Sequence, residues 1–123
     1  MVKNFPSRSP LGLNESYQGL REIFLSQRNF RIQLFIAFIT ILAGFIFGIS
    51  FFEWLVLLIL IALVLGFEVI NTGLEKTLDL VEKDLHEDVR IAKDISAGAV
   101  LLVSIAAALA GLLIFLPKII RII

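Results

Sequence analysis

Glu68-Val69-Ile70-Asn71-Thr72-Gly73-Leu74-Glu75 closes an apolar run that begins at Trp54 and ends at Phe67. Past Glu75 the sequence turns polar. A carboxylate at the edge of a hydrophobic span is costly unless it is paired, hydrated or used. On a helix, Glu68, Asn71, Glu75, Asp79 and Glu82 fall within about 80° of one another. One face therefore carries a polar ladder that starts at membrane depth and climbs towards water. Asp79 and Glu82 read as the solvated end of that face. Glu68, Asn71 and Glu75 lie deep enough to call for a function.

Working outward, the composition places the whole chain in a bilayer. Of its 123 residues, 59% are hydrophobic, and the mean hydropathy is +0.96. This is too apolar for a soluble domain of that size. The 11 basic and 11 acidic residues leave no net charge, so nothing recommends nucleic acid as a partner. The absence of cysteine excludes disulfides and thiolate metal sites. The N-terminus lacks a cleavable signal pattern, because the first apolar run starts near Ile32.

Three spans are predicted in one all-α membrane-embedded unit, residues 14–123, behind a flexible cytosolic tail over 1–13. Asn14 is a plausible N-cap for a surface helix over 14–30. Leu13, Tyr17, Leu20 and Phe24 share a stripe on that helix, with Arg21, Arg28 and Arg31 near the headgroups. Residues 32–52 form the first span, charge-free and long enough for about 30 Å of hydrocarbon. Its Gly44 and Gly48 make a small-xxx-small pair suited to close helix contact. The second span covers 54–81, with Glu53 and Trp54 at the far interface. Its charge-free part is only about 21 Å long at 1.5 Å per residue, which leaves Glu68 inside the bilayer. A polar turn around His86, a solvated loop residue, leads to the third span, 89–117. That span is rich in small residues, and Pro117 is expected to end it.

Nine of the basic residues flank one side of these spans, and only Lys118 and Arg121 flank the other. The positive-inside rule puts the N-terminus and the His86 turn in the cytoplasm, with the C-terminus outside, as in a cell (inner) membrane protein. The ladder then opens to the cytosol.

Such a ladder suits a reaction between a water-soluble anionic reagent and a lipid headgroup. Glu75 and Asn71 suit Mg²⁺, which takes oxygen ligands and keeps waters and phosphates in its shell. Glu68 is deep enough to meet a lipid hydroxyl as general base. Lys93 offers a point charge for phosphate. Asp94 beside it could take a ribose hydroxyl or orient the lysine.

The same residues carry a resemblance. Glu68-x-x-Asn71-x-x-x-Glu75, followed after a short turn by Ala92-Lys93-Asp94-Ile95-Ser96-Ala97-Gly98, resembles the prokaryotic diacylglycerol kinase family. Gly19-Leu20-Arg21 and Arg28-Asn29-Phe30-Arg31 also match its pattern, so the likeness runs from about Tyr17 to Phe115. It implies a homotrimer of three-span subunits with an amphipathic surface helix and composite active sites. It implies transfer of the ATP γ-phosphate, with Mg²⁺, to a lipid hydroxyl. By the resemblance Glu68 is the base, Glu75 a metal ligand and Asn71 the asparagine between them. Lys93 and Asp94 form the nucleotide-side pair, with Tyr17 and Arg21 as secondary nucleotide candidates. Where the family commonly has an acidic metal ligand before Arg-Asn-Phe-Arg, this chain has Gln27, an uncharged oxygen donor, and Glu22 is a candidate substitute. The family's acceptors are diacylglycerol or, in a second branch, undecaprenol. The wording here resembles the second branch slightly more, which puts undecaprenol ahead.

Two other classes fit parts of the pattern. A proton or cation pathway could run through the Glu68 region. It would need polar groups across the full thickness, whereas the carboxylates crowd at one interface. A purely structural oligomeric membrane protein would leave Glu68 unexplained.

Overall fold

A computed structural model of the chain describes residues 7–81 and 86–123. Glu82 of the ladder and most of the turn after it lie outside the described residues. So do residues 1–6 of the tail. A 3₁₀ turn, Pro10–Gly12, leads into four helices: α1 Leu13–Ser26, α2 Arg28–Phe47, α3 Phe51–Val81 and α4 Glu87–Ile122. The last three are each long and apolar enough to cross a membrane. The molecule is thus all-helical with three potential spans. Few side chains are buried, while large apolar ones such as Phe35, Phe45 and Leu113 stand exposed. A membrane protein has this distribution because its outer surface meets lipid rather than water.

The junctions follow from local chemistry. Gly12, at φ 64°, is the N-cap of α1, so the helix starts at Leu13, one residue ahead of the expected cap Asn14. The helix expected over 14–30 divides at Gln27, whose backbone is extended (φ −111°, ψ 109°). Arg31 closes that break: its guanidinium donates to Phe24 O at 2.8 Å and Leu25 O at 3.1 Å. Orphan carbonyls at the end of α1 thereby gain partners, and a positive charge meets the negative end of the helix.

Gly48 ends α2 at φ 61°, with Ile49 N–H donating to Gly44 O and Gly48 N–H to Phe45 O. This is a Schellman motif. Gly48 therefore serves a turn rather than the helix contact expected of the Gly44–Gly48 pair. Gly44 alone makes a close approach, and its partner is the Trp54 indole of the same chain. Two residues later α3 opens with a capping box. Glu53 N–H donates to Ser50 Oγ at 3.1 Å, and Ser50 N–H donates to Glu53 Oε1 at 3.0 Å. Helix α3 thus begins at Phe51, three residues ahead of Trp54.

His86 caps α4, its Nδ1 accepting from Asp88 N–H at 3.3 Å. Pro117 does not end α4, contrary to the sequence expectation; the helix passes through it to Ile122. Proline removes one backbone donor and crowds the preceding turn. Membrane helices tolerate this when nearby groups restore the hydrogen bonding. Here Lys118 Nζ donates to Ile114 O at 3.1 Å.

Helices α3 and α4 pack together most extensively, and α2 lies more lightly against α3. A small cluster of Ile49, Leu57 and Ile114, with Trp54 and Phe115 against it, joins all three at one end. Two ion pairs bracket the α3–α4 hairpin. Glu53 and Lys118 meet at 2.8 Å beside that cluster, and Asp79 meets Lys93 near the opposite end.

Candidate active site

The apolar period of α3 turns Glu68, Asn71 and Thr72 inward, and all three are buried, with Glu68 only 5% exposed. Thr72 spends its hydroxyl on Glu68 O at 3.0 Å. Asn71 Nδ2 donates to Glu75 Oε1 at 3.4 Å, one turn on. Glu75 is half-buried, and Asp79 beyond it is exposed. The face therefore grades from buried to wet over three helical turns, as the spacing dictates.

No cation faces Glu68 among the described residues. Its described side-chain partner is Gln33 on α2, whose Nε2 stands 3.5 Å from Glu68 Oε2. That contact is at the limit of a hydrogen bond. Two acceptors on neighbouring side chains of the face, Gln33 Oε1 and Asn71 Oδ1, are buried without a partner among the described residues. Leaving a buried acceptor unmatched costs on the order of 1–3 kcal/mol. Native structures carry few such atoms, and each calls for an explanation such as a ligand.

The remaining candidates divide between helices. Lys93 is drawn across the hairpin to Asp79 at 2.5 Å. Asp94 is held by Arg90 at 2.9 Å, and Arg90 also bonds Glu87. Glu22 on α1 lies 3.9 Å from Lys76, which brings it to the same level of α3 as Glu75. Gln27 sits half-buried at the α1–α2 break. Among the described residues its side chain makes no hydrogen bond. Tyr17 and Arg21 are exposed on α1, and no described hydrogen bond links either side chain to the ladder.

Sequence reasoning missed Gln33 and undervalued Asp79. An amide inside a charge-free helix carries the same signal that singled out Asn71. Charge counting alone passes over it.

For a divalent ion, Glu75 and the unpartnered Asn71 Oδ1 supply hard oxygen donors of the right kind. Among the described residues no three carboxylate or imidazole side chains gather. This chain alone thus supplies part of a shell, which suits an ion that keeps phosphates and waters as ligands.

Comparison with known proteins decides the class. The prokaryotic diacylglycerol kinase family matches residues 14–115. The chain belongs to that family. It is similar to the undecaprenol kinase of Bacillus subtilis, 36% identical over 82% of each chain. It is also similar to the diacylglycerol kinase of Synechocystis, 40% identical over 83% of this chain and 59% of that protein. A third relative, the diacylglycerol kinase of Haemophilus influenzae, is 31% identical over 69% of this chain and 72% of its own. The chain is accordingly a lipid kinase, a membrane-embedded transferase of lipid metabolism. Kinase activity entails ATP, and ATP-dependent transfer ordinarily needs a divalent metal.

Proposed function

We propose that this protein transfers the γ-phosphate of Mg·ATP to the hydroxyl of a membrane lipid, with undecaprenol favoured over diacylglycerol. The observation that carries the reading is Glu68: a carboxylate 5% exposed, in an apolar helix, without a described cation beside it. A group so placed is suited to take the proton of an alcohol still anchored in the bilayer. The match to the Bacillus undecaprenol kinase covers 82% of both chains, which supports undecaprenol as acceptor.

The division of roles follows depth. Glu68 holds and accepts the proton of the lipid hydroxyl. Asn71, one turn on, has a buried Oδ1 without a partner among the described residues. Glu75 and Asn71 would hold Mg²⁺, with Gln27 or Glu22 as further donors. When bound, the ion neutralises phosphate charge and orients the γ-phosphoryl group. Lys93 and Asp94 bind the nucleotide, Lys93 by charge, with Arg21 and Tyr17 nearer the periphery. Nucleotide arrival exchanges Lys93's present partner Asp79 for a phosphate.

Residues 14–123 form one kinase domain in this reading. Helix α1 lies along the cytosolic surface as an amphipathic segment, and the C-terminus is external. The subunits associate as a homotrimer, which would complete a ligand shell that one chain leaves partial.

The test uses purified protein in mixed micelles with radiolabelled ATP, given undecaprenol and diacylglycerol separately. Label in the lipid fraction is expected with both, faster with undecaprenol. Faster labelling of diacylglycerol reverses the substrate order, and no label in either lipid defeats the reading.

A further inference from the structure

The first two turns of α4 carry a chain of charges. Glu87, Arg90 and Asp94 stand at i, i+3 and i+7, within about 60° of one another round the helix. Arg90 Nη2 donates to Glu87 Oε1 at 2.5 Å and its Nε to Glu87 Oε2 at 3.3 Å. Its Nη1 donates to Asp94 Oδ2 at 2.9 Å. The two bonds to Glu87 match one planar fork to one carboxylate, which fixes the plane of the guanidinium. The third bond then sets where Asp94 points. Asp94 Oδ1 takes no hydrogen bond among the described residues, and the side chain is 67% exposed. Its neighbour Lys93 turns instead to Asp79 on α3.

We propose that Arg90 is a positioning residue for the nucleotide: it holds Asp94 by one oxygen so that the other is presented to a ribose hydroxyl. This rests on the nucleotide role given to Lys93 and Asp94 in the kinase reading. The ligand group follows from charge and place. Asp94 Oδ1 is an anionic acceptor, so it repels the phosphates that Lys93 attracts and takes a neutral donor. In a nucleotide the ribose hydroxyls are the neutral donors closest to the triphosphate.

Exposed ion pairs add little to folding stability, so the effect of this network is geometrical. An aspartate alone on a helix surface is free to change rotamer, and binding must then order it. Arg90 does that ordering beforehand. Lysine would not replace it, because a single ammonium has no planar fork to match Glu87 while reaching Asp94.

The test compares ATP with 2′-deoxy-ATP and 3′-deoxy-ATP as phosphoryl donors, on the whole chain in mixed micelles at saturating lipid. The readout is the ratio of kcat/KM for ATP to that for each analogue, which does not depend on the fraction of folded enzyme. Wild type is expected to favour ATP about tenfold over at least one analogue, the scale for one hydrogen bond to a charged group. Asp94→Ala is expected to abolish that preference. Arg90→Met, uncharged and of similar reach, is expected to cut it to about threefold with the lipid KM unchanged. Loss of charge alone would weaken ATP and both analogues equally and leave the preference whole. A preference lost in Asp94→Ala but whole in Arg90→Met therefore overturns the role of Arg90. No preference in wild type, or one that survives Asp94→Ala, overturns the ribose contact and the proposal with it, while label in the lipid keeps the kinase reading intact. If Arg90→Met does not yield folded protein, Glu87→Ala takes away the anchor of the fork and decides by the same ratio: a fall supports the proposal and an unchanged ratio overturns it.

Discussion

Gly44→Ala sets two effects of similar size against each other, and the structure decides the winner. Replacing a helical glycine by alanine normally stabilises by up to about 1 kcal/mol. At this position, however, the added Cβ would lie 2.6 Å from Trp54 Cη2, 2.9 Å from Trp54 Cζ2 and 3.2 Å from Ile49 Cδ1. Carbon atoms sit best at about 3.5–4.0 Å, so the indole must retreat by roughly 1 Å. It is a rigid ring already tilted against Phe45, with centroids 4.8 Å apart. Overpacking of this kind costs about 1–3 kcal/mol. The net is a destabilisation of about 1 kcal/mol, or on the order of 5 °C in melting temperature. Thermal melts in detergent micelles, followed by circular dichroism at 222 nm, a helix signal that every variant retains, measure it. Trp54→Phe removes the atoms that clash, so the double variant should recover the glycine-to-alanine gain, a coupling visible in a double-mutant cycle. Because α2 packs lightly on α3, this contact also bears on where Gln33 meets Glu68. A Gly44→Ala protein that melts higher than wild type would refute the reasoning, since Trp54 could not then lie against Gly44.

Three further outcomes are expected. Glu68→Gln preserves shape and should lower kcat by about 10²-fold or more with ATP binding nearly unchanged; single-turnover kinetics that keep most of the rate would remove the base role. Gln27→Glu adds a full charge near the proposed metal ligands and should lower the Mg²⁺ midpoint of lipid phosphorylation several-fold, whereas an unmoved midpoint would show that Gln27 does not face the metal. Ser9 donates its hydroxyl and its backbone N–H to Glu15, which holds that carboxyl below its ordinary value. The contribution of this contact to the start of α1 is present above the ordinary carboxylate value and fades as pH falls through the depressed one. An NMR titration of Glu15 should move up in Ser9→Ala, and an unmoved titration would discount the contact.

The three spans were legible because apolar length is a coarse property that no single side chain can cancel. The buried face of α3 was legible because helical period alone brings Glu68, Asn71 and Glu75 into line. What escaped depended on partners distant in sequence. Pro117 reads as a stop until Lys118 Nζ is found on Ile114 O. Gly44 and Gly48 look equivalent until one faces an indole and the other takes a positive φ. Gln27 gave no sign of an extended backbone, since the Arg31 side chain that closes the break acts from the next helix. Gln33 gains its interest only from Glu68, 35 positions away. Asp79 looked like one more solvated carboxylate, and nothing in its own neighbourhood names Lys93.

The two bridges across the α3–α4 hairpin have a consequence for how this chain can change over time. They sit at positions 53 and 79 of one helix and at 118 and 93 of the other. At 1.5 Å per residue those intervals are about 39 Å and about 38 Å, nearly equal. One residue inserted into or deleted from either interval would displace a charge by about 1.5 Å and swing it about 100° around its helix. One bridge would then have to open for the other to stay closed. A change of length in one helix keeps both bridges closed only when it is matched in the other. The hairpin behaves as a gauge block, and the spacing of its charged ends is what it holds constant.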